Sequence, residues 1–580
     1  MANRVNRKPT GPNLWAILTP YRWLILILAL LTIGANGLTL WLPKVISHAI
    51  DAYAHHTLIL NDVIWLFSAV SLSIFVLTYI QNLVQTYTSE LVAKDLREKL
   101  AGKISRQSYA YIEQENPSKL LTNLTSDIDA VKLFVSQAIV SMISSVALIL
   151  GASTLLLLTN WHLALAVLTI VPIIGIAFFT TLARVRKLFL QSREIIDRLN
   201  RVITESIVGA ALIRVLNSIR REDKKFDGAN RASRDLGLRI VTIFATLIPI
   251  ITFVASLGSV IILGYGGHLI IQGSFSLGDF AAFSTYVSIL IFPIIMLGFI
   301  SNVVAQAQAS YGRIAHVLGA QEPAERGTLT SALTGAIVVD QVTVSYGEKA
   351  ALDSISFTIK PGTKTAILGP TAAGKTQLLY ALTGLIQPTT GTVLFDGHAI
   401  TDYQAEALHR QLGFVFQDSI MFNMTVRENI AFSPDVTDAS LKKAIETAEL
   451  SDLIRSLPQG LNTVVSERGT SLSGGQKQRI MLARALAFNP SILLLDDFTA
   501  RVDAATEEKI LGNLQKNYPN LTLISVTQKV ASVQHYDQII LLMEGEKLAD
   551  GTHKQLLKSS TDYMELVSSQ ASTSTYELHA

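Results

Sequence analysis

The sequence predicts an α-helical domain of six membrane spans fused to an α/β domain, and three observations carry that prediction. Long stretches free of Asp, Glu, Lys and Arg fill the first half. Short apolar strands alternating with helices fill the second. The charge divides between the two: residues 1–330 hold 28 Lys+Arg and 19 Asp+Glu, residues 331–580 hold 20 and 26. Of 580 residues 49% are hydrophobic and 16% charged, and mean hydropathy is +0.38. So few charges cannot coat the several soluble domains that about 150 residues apiece would make of this length. A net charge of +3 excludes a strongly basic nucleic-acid binder, and the absence of cysteine excludes disulfides, thiolate metal sites and Cys nucleophiles.

The charge-free stretches are Trp23–Pro43, Val63–Ser89, Leu133–Ala183, Ile240–Gly278 and Phe280–Gly312. A bilayer span takes about 20 apolar residues, so the third stretch holds two, joined by a hairpin at Asn160-Trp161-His162. That makes six. A buried helical core of this size would need polar outer faces, and these segments have none. Orientation follows from the flanking positive charges. Lys94, Arg97, Lys99, Lys103 and Arg106 follow the second span, and Arg184, Arg186, Lys187, Arg193 and Arg198 follow the fourth. The opposite loops are nearly bare of Lys and Arg. Both termini are therefore expected in the cytoplasm. The first apolar segment is too long for a cleavable signal peptide, and Leu14–Leu18 reads as an interfacial helix entering the first span. Two long loops on the basic side are helical in pattern. Two helices of about 25 residues between Ala183 and Ile240 would extend roughly 35–40 Å from the bilayer at 1.5 Å per residue.

A linker, Gln321–Gly335, separates the membrane domain (1–320) from the second domain (336–568); a Ser/Thr-rich tail (569–580) is expected to lack order. Lys364–Leu368 reads as a buried strand running into Gly369-Pro370-Thr371-Ala372-Ala373-Gly374-Lys375-Thr376 and a helix. This is G-x-x-x-x-G-K-[ST] in its strand–loop–helix setting. Small residues let backbone N–H groups wrap phosphates at a helix N-terminus. Lys375 is placed for the β/γ-phosphates, the Thr376 hydroxyl for Mg²⁺, and Gln377 completes the nucleotide-binding run. A second apolar strand, Ser491–Leu495, ends in Asp496-Asp497, where Asp496 suits the magnesium side. Between them, Leu472-Ser473-Gly474-Gly475-Gln476 opens a helix and forms a second anion site. The second domain is thus an α/β P-loop NTPase nucleotide-binding domain with ATP and Mg²⁺ as its cofactors.

With these motifs in order, the chain resembles a half-transporter of the ATP-binding cassette (ABC) exporter superfamily over nearly its whole length. The resemblance implies that Tyr346 stacks on adenine, that Gln417 is the Q-loop glutamine with a catalytic and metal-side role, and that Leu472–Gln476 is the signature. It likewise makes Asp503 the D-loop aspartate, Ser466–Gly469 a segment that touches the membrane domain, and Ser108–Glu113 and Gly209–Val215 the coupling helices. In this family two cassettes sandwich two ATPs, each between one chain's P-loop and the other's signature, so a dimer is implied.

Two departures mark this half. The family's water-polarising glutamate is Asp497, one methylene shorter, and its switch histidine is Gln528, in Ser525-Val526-Thr527-Gln528-Lys529. Gln donates a neutral hydrogen bond but takes no proton. Together they resemble the degenerate-site subunit of bacterial heterodimeric ABC multidrug exporters, implying a weakly hydrolysing site on this P-loop and a different half-transporter as partner. A slow homodimeric ATPase and a nucleotide-gated regulatory assembly are the competing readings. The intact signature speaks against the regulator, and fusion of spans to cassette speaks against an importer. Spans without charges in their middle thirds point to hydrophobic or amphiphilic cargo, drugs or lipids, moved across the cell membrane. Trp41, Phe75, Phe292, Met296 and Phe299 are candidates to line an apolar cavity.

Overall fold

The computed structural model describes residues 14–323, 327–347, 349–465 and 472–577, and its contacts divide them into two units. One comprises residues up to Arg106 together with Glu115–Gln321; the other comprises Gln107–Gln114 and everything from Glu322 onward.

The first unit is all helix. Among the described residues six segments are long and apolar enough to cross a membrane: Leu14–Ala54, Leu60–Ser105, Pro117–Thr159, Trp161–Val208, Ile219–Ile271 and Leu277–Leu318. They far outrun the charge-free stretches, because charge limits only the part immersed in lipid while the backbone pattern continues into water. The hairpin falls where Asn160 leaves helical geometry (φ −157°, ψ 107°) and its side chain caps the next helix by accepting from Leu163 N–H at 3.0 Å. Leu14–Tyr21 forms a 3₁₀ turn leading into the first long helix. Several polar groups of the bundle are paired: Arg313 forks onto the buried Asp127, Lys44 meets Asp279 at 2.9 Å, and Asn36 Nδ2 donates to Ser144 Oγ at 2.9 Å. Such pairing is required where no water can substitute. At Gly298 a Cβ would enter the Phe178 ring, so a glycine allows the close helix approach.

The five residues proposed for an apolar cavity lie in different surroundings within this unit. Trp41 does line a cavity of about 520 Å³, but beside Lys44, Asp279 and Tyr286. Phe75 stacks on Tyr79, Phe299 packs between Phe178 and Phe244, and Phe292 is 65% exposed. Aromatic identity alone says nothing of the helix face on which a residue lies.

The second unit has two sheets. Strands β1 (Ile337–Tyr346), β2 (Lys349–Ile359), β4 (Thr390–Phe395) and β5 (His398–Ala399) form an antiparallel sheet in the order β2-β1-β4-β5. Strands β3 (Lys364–Leu368), β6 (Leu412–Val415), β7 (Ile492–Asp496), β8 (Thr522–Thr527), β9 (Gln538–Met543) and β10 (Glu546–Gly551) form the main sheet, β10-β9-β3-β8-β7-β6. It is parallel from β6 through β9, with β10 antiparallel. Every residue of β7 and β8 is buried, as a parallel strand covered on both faces must be. Side chains of β7, β8 and β9 alternate between two cores: Leu493, Leu495, Leu523 and Leu541 enter one, Leu494, Ile524, Val526 and Leu542 the other.

Two segments are more ordered than their composition predicts. The linker is tied down: Gly327 N–H donates to Thr401 O at 2.7 Å, Leu329 pairs with Tyr403, and Thr334 bonds Asp396. The tail continues a helix, Thr561–Glu577. It is held at its start by the fully buried Tyr563, whose hydroxyl meets His553 Nδ1 at 2.7 Å. Tertiary packing here overrides a weak local pattern.

Candidate functional site

Three neighbouring strands deliver the site. In the parallel sheet Leu368 at the end of β3 pairs with Thr527 at the end of β8, and Val526 pairs with Asp496 at the end of β7. The residues that follow, Gly369–Lys375, Gln528 and Asp497, therefore emerge side by side at the carboxyl edge, where open α/β sheets bind ligands.

The loop after β3 is a concave turn. Ala372 and Gly374 both have positive φ, +64° and +92°, and Gly374 leads directly into the helix Lys375–Thr383. Successive N–H groups turned inward this way make an anion nest at a helix N-terminus. Ala372, Ala373, Gly374, Lys375, Thr376 and Gln377 line a cavity of about 600 Å³. Gly369 and Pro370 contribute carbonyls that accept the Lys375 ammonium at 2.8 and 2.6 Å, while Thr371 is exposed. At Gly369 a Cβ would strike the Leu542 carbonyl, so this glycine serves strand packing.

Lys375 is buried, and burial pulls its pKa below the usual lysine range; the charges of Asp497 and Asp496 oppose this. Asp496 is 2% exposed. Burial pushes its carboxyl up, the Thr376 hydroxyl it accepts pulls it down, the Asp497 charge raises it again and Lys375 lowers it. Among the described residues no group of three His, Asp or Glu could hold a metal. The Thr376 hydroxyl and the Asp496 carboxylate are the two oxygen donors the structure brings together beside the loop. Asp497 takes a left-handed backbone, φ +47°, pinned by its N–H donating to Val526 O at 3.0 Å.

Gln417 is exposed, and its carbonyl accepts Gln478 Nε2 at 3.2 Å, so the signature helix holds the Q-loop backbone. Tyr346 is 51% exposed; its hydroxyl donates to Gln377 Oε1 at 2.8 Å, tying it to the P-loop helix. Leu472 is buried. Ser473 caps the helix Gly474–Leu486 in a reciprocal box: its Oγ accepts Gln476 N–H at 3.3 Å, and Gln476 Oε1 accepts Ser473 N–H at 2.8 Å. A Cβ on Gly474 would lie 3.6 Å from Arg501 Cδ, an ordinary contact, whereas one on Gly475 would press the Arg501 carbonyl at 2.7 Å. Asp503 caps the helix Ala504–Asn517 through Thr506 N–H at 2.9 Å. The segment Ser466–Gly469 lies outside the described residues.

Sequence reasoning missed several residues. Lys349, Glu544 and Gly545 line the same cavity, brought there by β2 and the β9–β10 turn; no short motif joins positions so far apart. The first loop's short helix, Tyr109–Glu115, falls in the segment expected as a coupling helix, and it sends Tyr109 edge-on to Tyr380 at 5.3 Å. Tyr380 also meets Phe414 and Phe416 at 6.1 and 6.5 Å. An aromatic cluster thereby links that loop to the P-loop helix and to the residue before Gln417.

Comparison with known proteins agrees with this geometry. Residues 23–294 match the family model of the ABC transporter transmembrane region, and residues 352–500 match the family model described as ABC transporter. The chain is 32% identical over 567 residues to YfiB of Bacillus subtilis (strain 168), described as an uncharacterized ABC transporter ATP-binding protein, covering 96% of this chain and 98% of that one. It is 30% identical to YheI of the same organism, a probable multidrug resistance ABC transporter ATP-binding/permease protein, over 94% of both. It is 28% identical to an ATP-dependent lipid A-core flippase of Syntrophus aciditrophicus (strain SB), over 84% of this chain and 82% of that one. In fold it matches a bacterial Atm1-family ABC exporter with ATP bound, with a TM-score of 0.75 over 96% of this chain and 99% of that one, at 24% identity. Six membrane helices, a phosphate loop, a signature and a paired-aspartate strand end on one polypeptide leave one assignment: the chain belongs to the ABC transporter family, as an exporter half-transporter.

Proposed function

We propose that this chain is one half of an ATP-driven exporter that works beside a different half-transporter, its own P-loop site binding MgATP and hydrolysing it slowly. The observation that carries the reading is the pair Asp497 and Gln528 at adjacent strand ends beside the phosphate loop. Lys375 and the N–H groups of Ala372–Thr376 hold the phosphates, and Thr376 and Asp496 hold Mg²⁺, whose charge stabilises the leaving phosphates when bound. Asp497 then stands where a water must be polarised. Its carboxylate is drawn back by about 1.5 Å relative to glutamate, and its backbone is pinned to β8, so the chain cannot advance to compensate. Misplacement near 1 Å costs on the order of 100-fold in rate. Gln528 offers a neutral donor and no proton acceptor of useful basicity.

The signature, with its capped helix and unobstructed Gly474, is suited to complete the partner's ATP site. A partner is also suggested by the tip Val208–Ile219, where Val208 and Val215 are each 82% exposed and Leu212 is 61% exposed, an apolar patch that a soluble surface would not keep bare. Both termini and the cassette are assigned to the cytoplasm from the positive charges flanking the spans, and the host membrane to the cell membrane. Hydrophobic or amphiphilic compounds are the proposed cargo.

The test is steady-state ATPase in lipid nanodiscs. The chain alone should bind ATP and turn it over slowly; with the half-transporter that co-purifies from native membranes, turnover should rise steeply and respond to hydrophobic cations. Asp497→Ala should leave most of that turnover. Rapid hydrolysis by the lone chain, or its abolition in the pair by Asp497→Ala, would overturn the assignment.

A further inference from the structure

The last helix, Thr561–Glu577, reaches back to the segment that follows β8. Its inward face is one stripe: Tyr563 is fully buried, Leu566 and Val567 pack partly buried against the same core, and Gln570 comes next. Spacing i, i+3, i+4, i+7 is that of a single helix face, yet its fourth member is polar. The reason lies in what it meets. Gln570 Nε2 donates to the Gln528 carbonyl at 2.6 Å, and Gln570 Oε1 accepts the Val530 N–H at 2.9 Å. One side-chain amide thus satisfies an acceptor and a donor on either side of Lys529. Val530 is 2% exposed, so its N–H needs a partner inside the protein. The segment is held elsewhere too: Lys529 N–H donates to Thr527 Oγ1 at 3.1 Å, and Glu507 meets Ser532.

We propose that Gln570 is a positioning residue for the ATP site on this chain's own P-loop, clamping the backbone on both sides of Lys529 and so fixing how Gln528 leaves the end of β8. The inference rests on the proposed function above, in which Gln528 stands in the switch position beside the phosphate loop, and takes its side chain to face the γ-phosphate. The clamp asks for a group that both donates and accepts at the reach of a glutamine. Glutamate keeps the reach and the acceptor but cannot donate to a carbonyl when ionised; alanine removes both bonds. Freed, the Gln528 backbone samples more directions, and its side chain contacts the terminal phosphate for a smaller fraction of the time. ADP has no γ-phosphate and should not register the difference. The tail helix is therefore a second handle on nucleotide discrimination, reached from a part of the chain that carries no nucleotide motif.

The experiment measures equilibrium binding of ATP and of ADP to the full-length chain in nanodiscs for the wild type, Gln528→Ala, Gln570→Ala and Gln570→Glu. Hydrogen exchange across residues 526–533 is followed in the same samples. Loss of one or two hydrogen bonds predicts that both Gln570 variants weaken ATP binding about 3- to 10-fold, leave ADP within about twofold, and speed exchange at Val530. Gln570→Glu preserves size and helix propensity, so it reports on the bonds even if Gln570→Ala fails to fold. If Gln528→Ala selectively weakens ATP while both Gln570 variants bind ATP as the wild type does, the clamp is overturned and the site reading stands. Equal weakening of ATP and ADP by the Gln570 variants shows a general structural role and also overturns it. If Gln528→Ala leaves the ATP-to-ADP ratio unchanged, the γ-phosphate reading itself fails and takes this inference with it.

Discussion

Ala372 holds a left-handed backbone, φ +64°, in the middle of the phosphate loop. That geometry costs an L-residue roughly 1–2 kcal/mol, and glycine's larger entropy loss would return about 0.5–1 of it. Ala372→Gly should therefore raise the stability of the nucleotide-binding unit by up to about 1 kcal/mol, read as a higher melting temperature. The signature glycines separate in the opposite sense. Gly474 has room for a Cβ within its own chain and Gly475 does not. Gly474→Ala should leave the melting temperature unchanged, yet cost the assembled transporter about 100- to 1,000-fold in hydrolysis, the usual effect of removing an oriented donor. Gly475→Ala should in addition lower stability by about 1–3 kcal/mol through overpacking against Arg501. Asp496 supplies a pH signature. Its folded-state pKa is raised, chiefly by burial, so as a stability term it favours the fold below the unfolded aspartate value, and that contribution is lost as pH rises through the folded one. Mg²⁺ needs the ionised form. Magnesium-dependent ATP binding should accordingly weaken on acidification before an ordinary aspartate, near about 3.9, would protonate; titrating binding downward from pH 8, with Asp496→Asn as the control, checks this.

The secondary-structure elements differ in how far the chain announces them. β7 was legible because burial on both faces demands an unbroken apolar run, and Ile492–Leu495 supplies one. The P-loop, the signature and Asp496 were legible because phosphate and Mg²⁺ chemistry confines residue type at fixed spacing. The tail helix was not, since Ser and Thr dominate it and only contacts through Tyr563, Leu566, Val567 and Gln570 order it. In the linker, Gly, Ser and Thr composition likewise conceals hydrogen bonds to Thr401, Asp402 and Asp396 that exist only once the domain has folded. Which span aromatics line a cavity is not written in the sequence. A helix hydrophobic all round hides which side faces lipid, and no count of Phe or Trp recovers it. Lys349, Glu544 and Gly545 reach the nucleotide region from distant elements, a relation carried by sheet order and loop path and not by any local pattern.

At the scale of the whole molecule, six helices and one cassette share a chain, yet the boundary between the two units is not a single point along it. Gln107–Gln114 is covalently part of the loop joining the second and third spans, but its contacts place it in the nucleotide-binding unit. The order of synthesis gives this arrangement a cost in time. At ~5–20 residues per second, the interval between this segment leaving the ribosome and the arrival of β8 and β9 is on the order of tens of seconds. Tyr109 waits through that interval without Tyr380, Phe414 or Phe416 to cover it, an exposed aromatic that membrane insertase or chaperone must tolerate. The finished domain inherits the converse problem when cut out. A fragment spanning 322–580 lacks one of its own pieces and leaves the Tyr380 edge to water; at about 0.5–1.5 kcal/mol for an aromatic pair, it should melt a few degrees below the same fragment supplied with residues 105–116 on a flexible tether. Tyr109→Ala in the tether should erase the gain. A conventional domain excision would therefore report on an incomplete object.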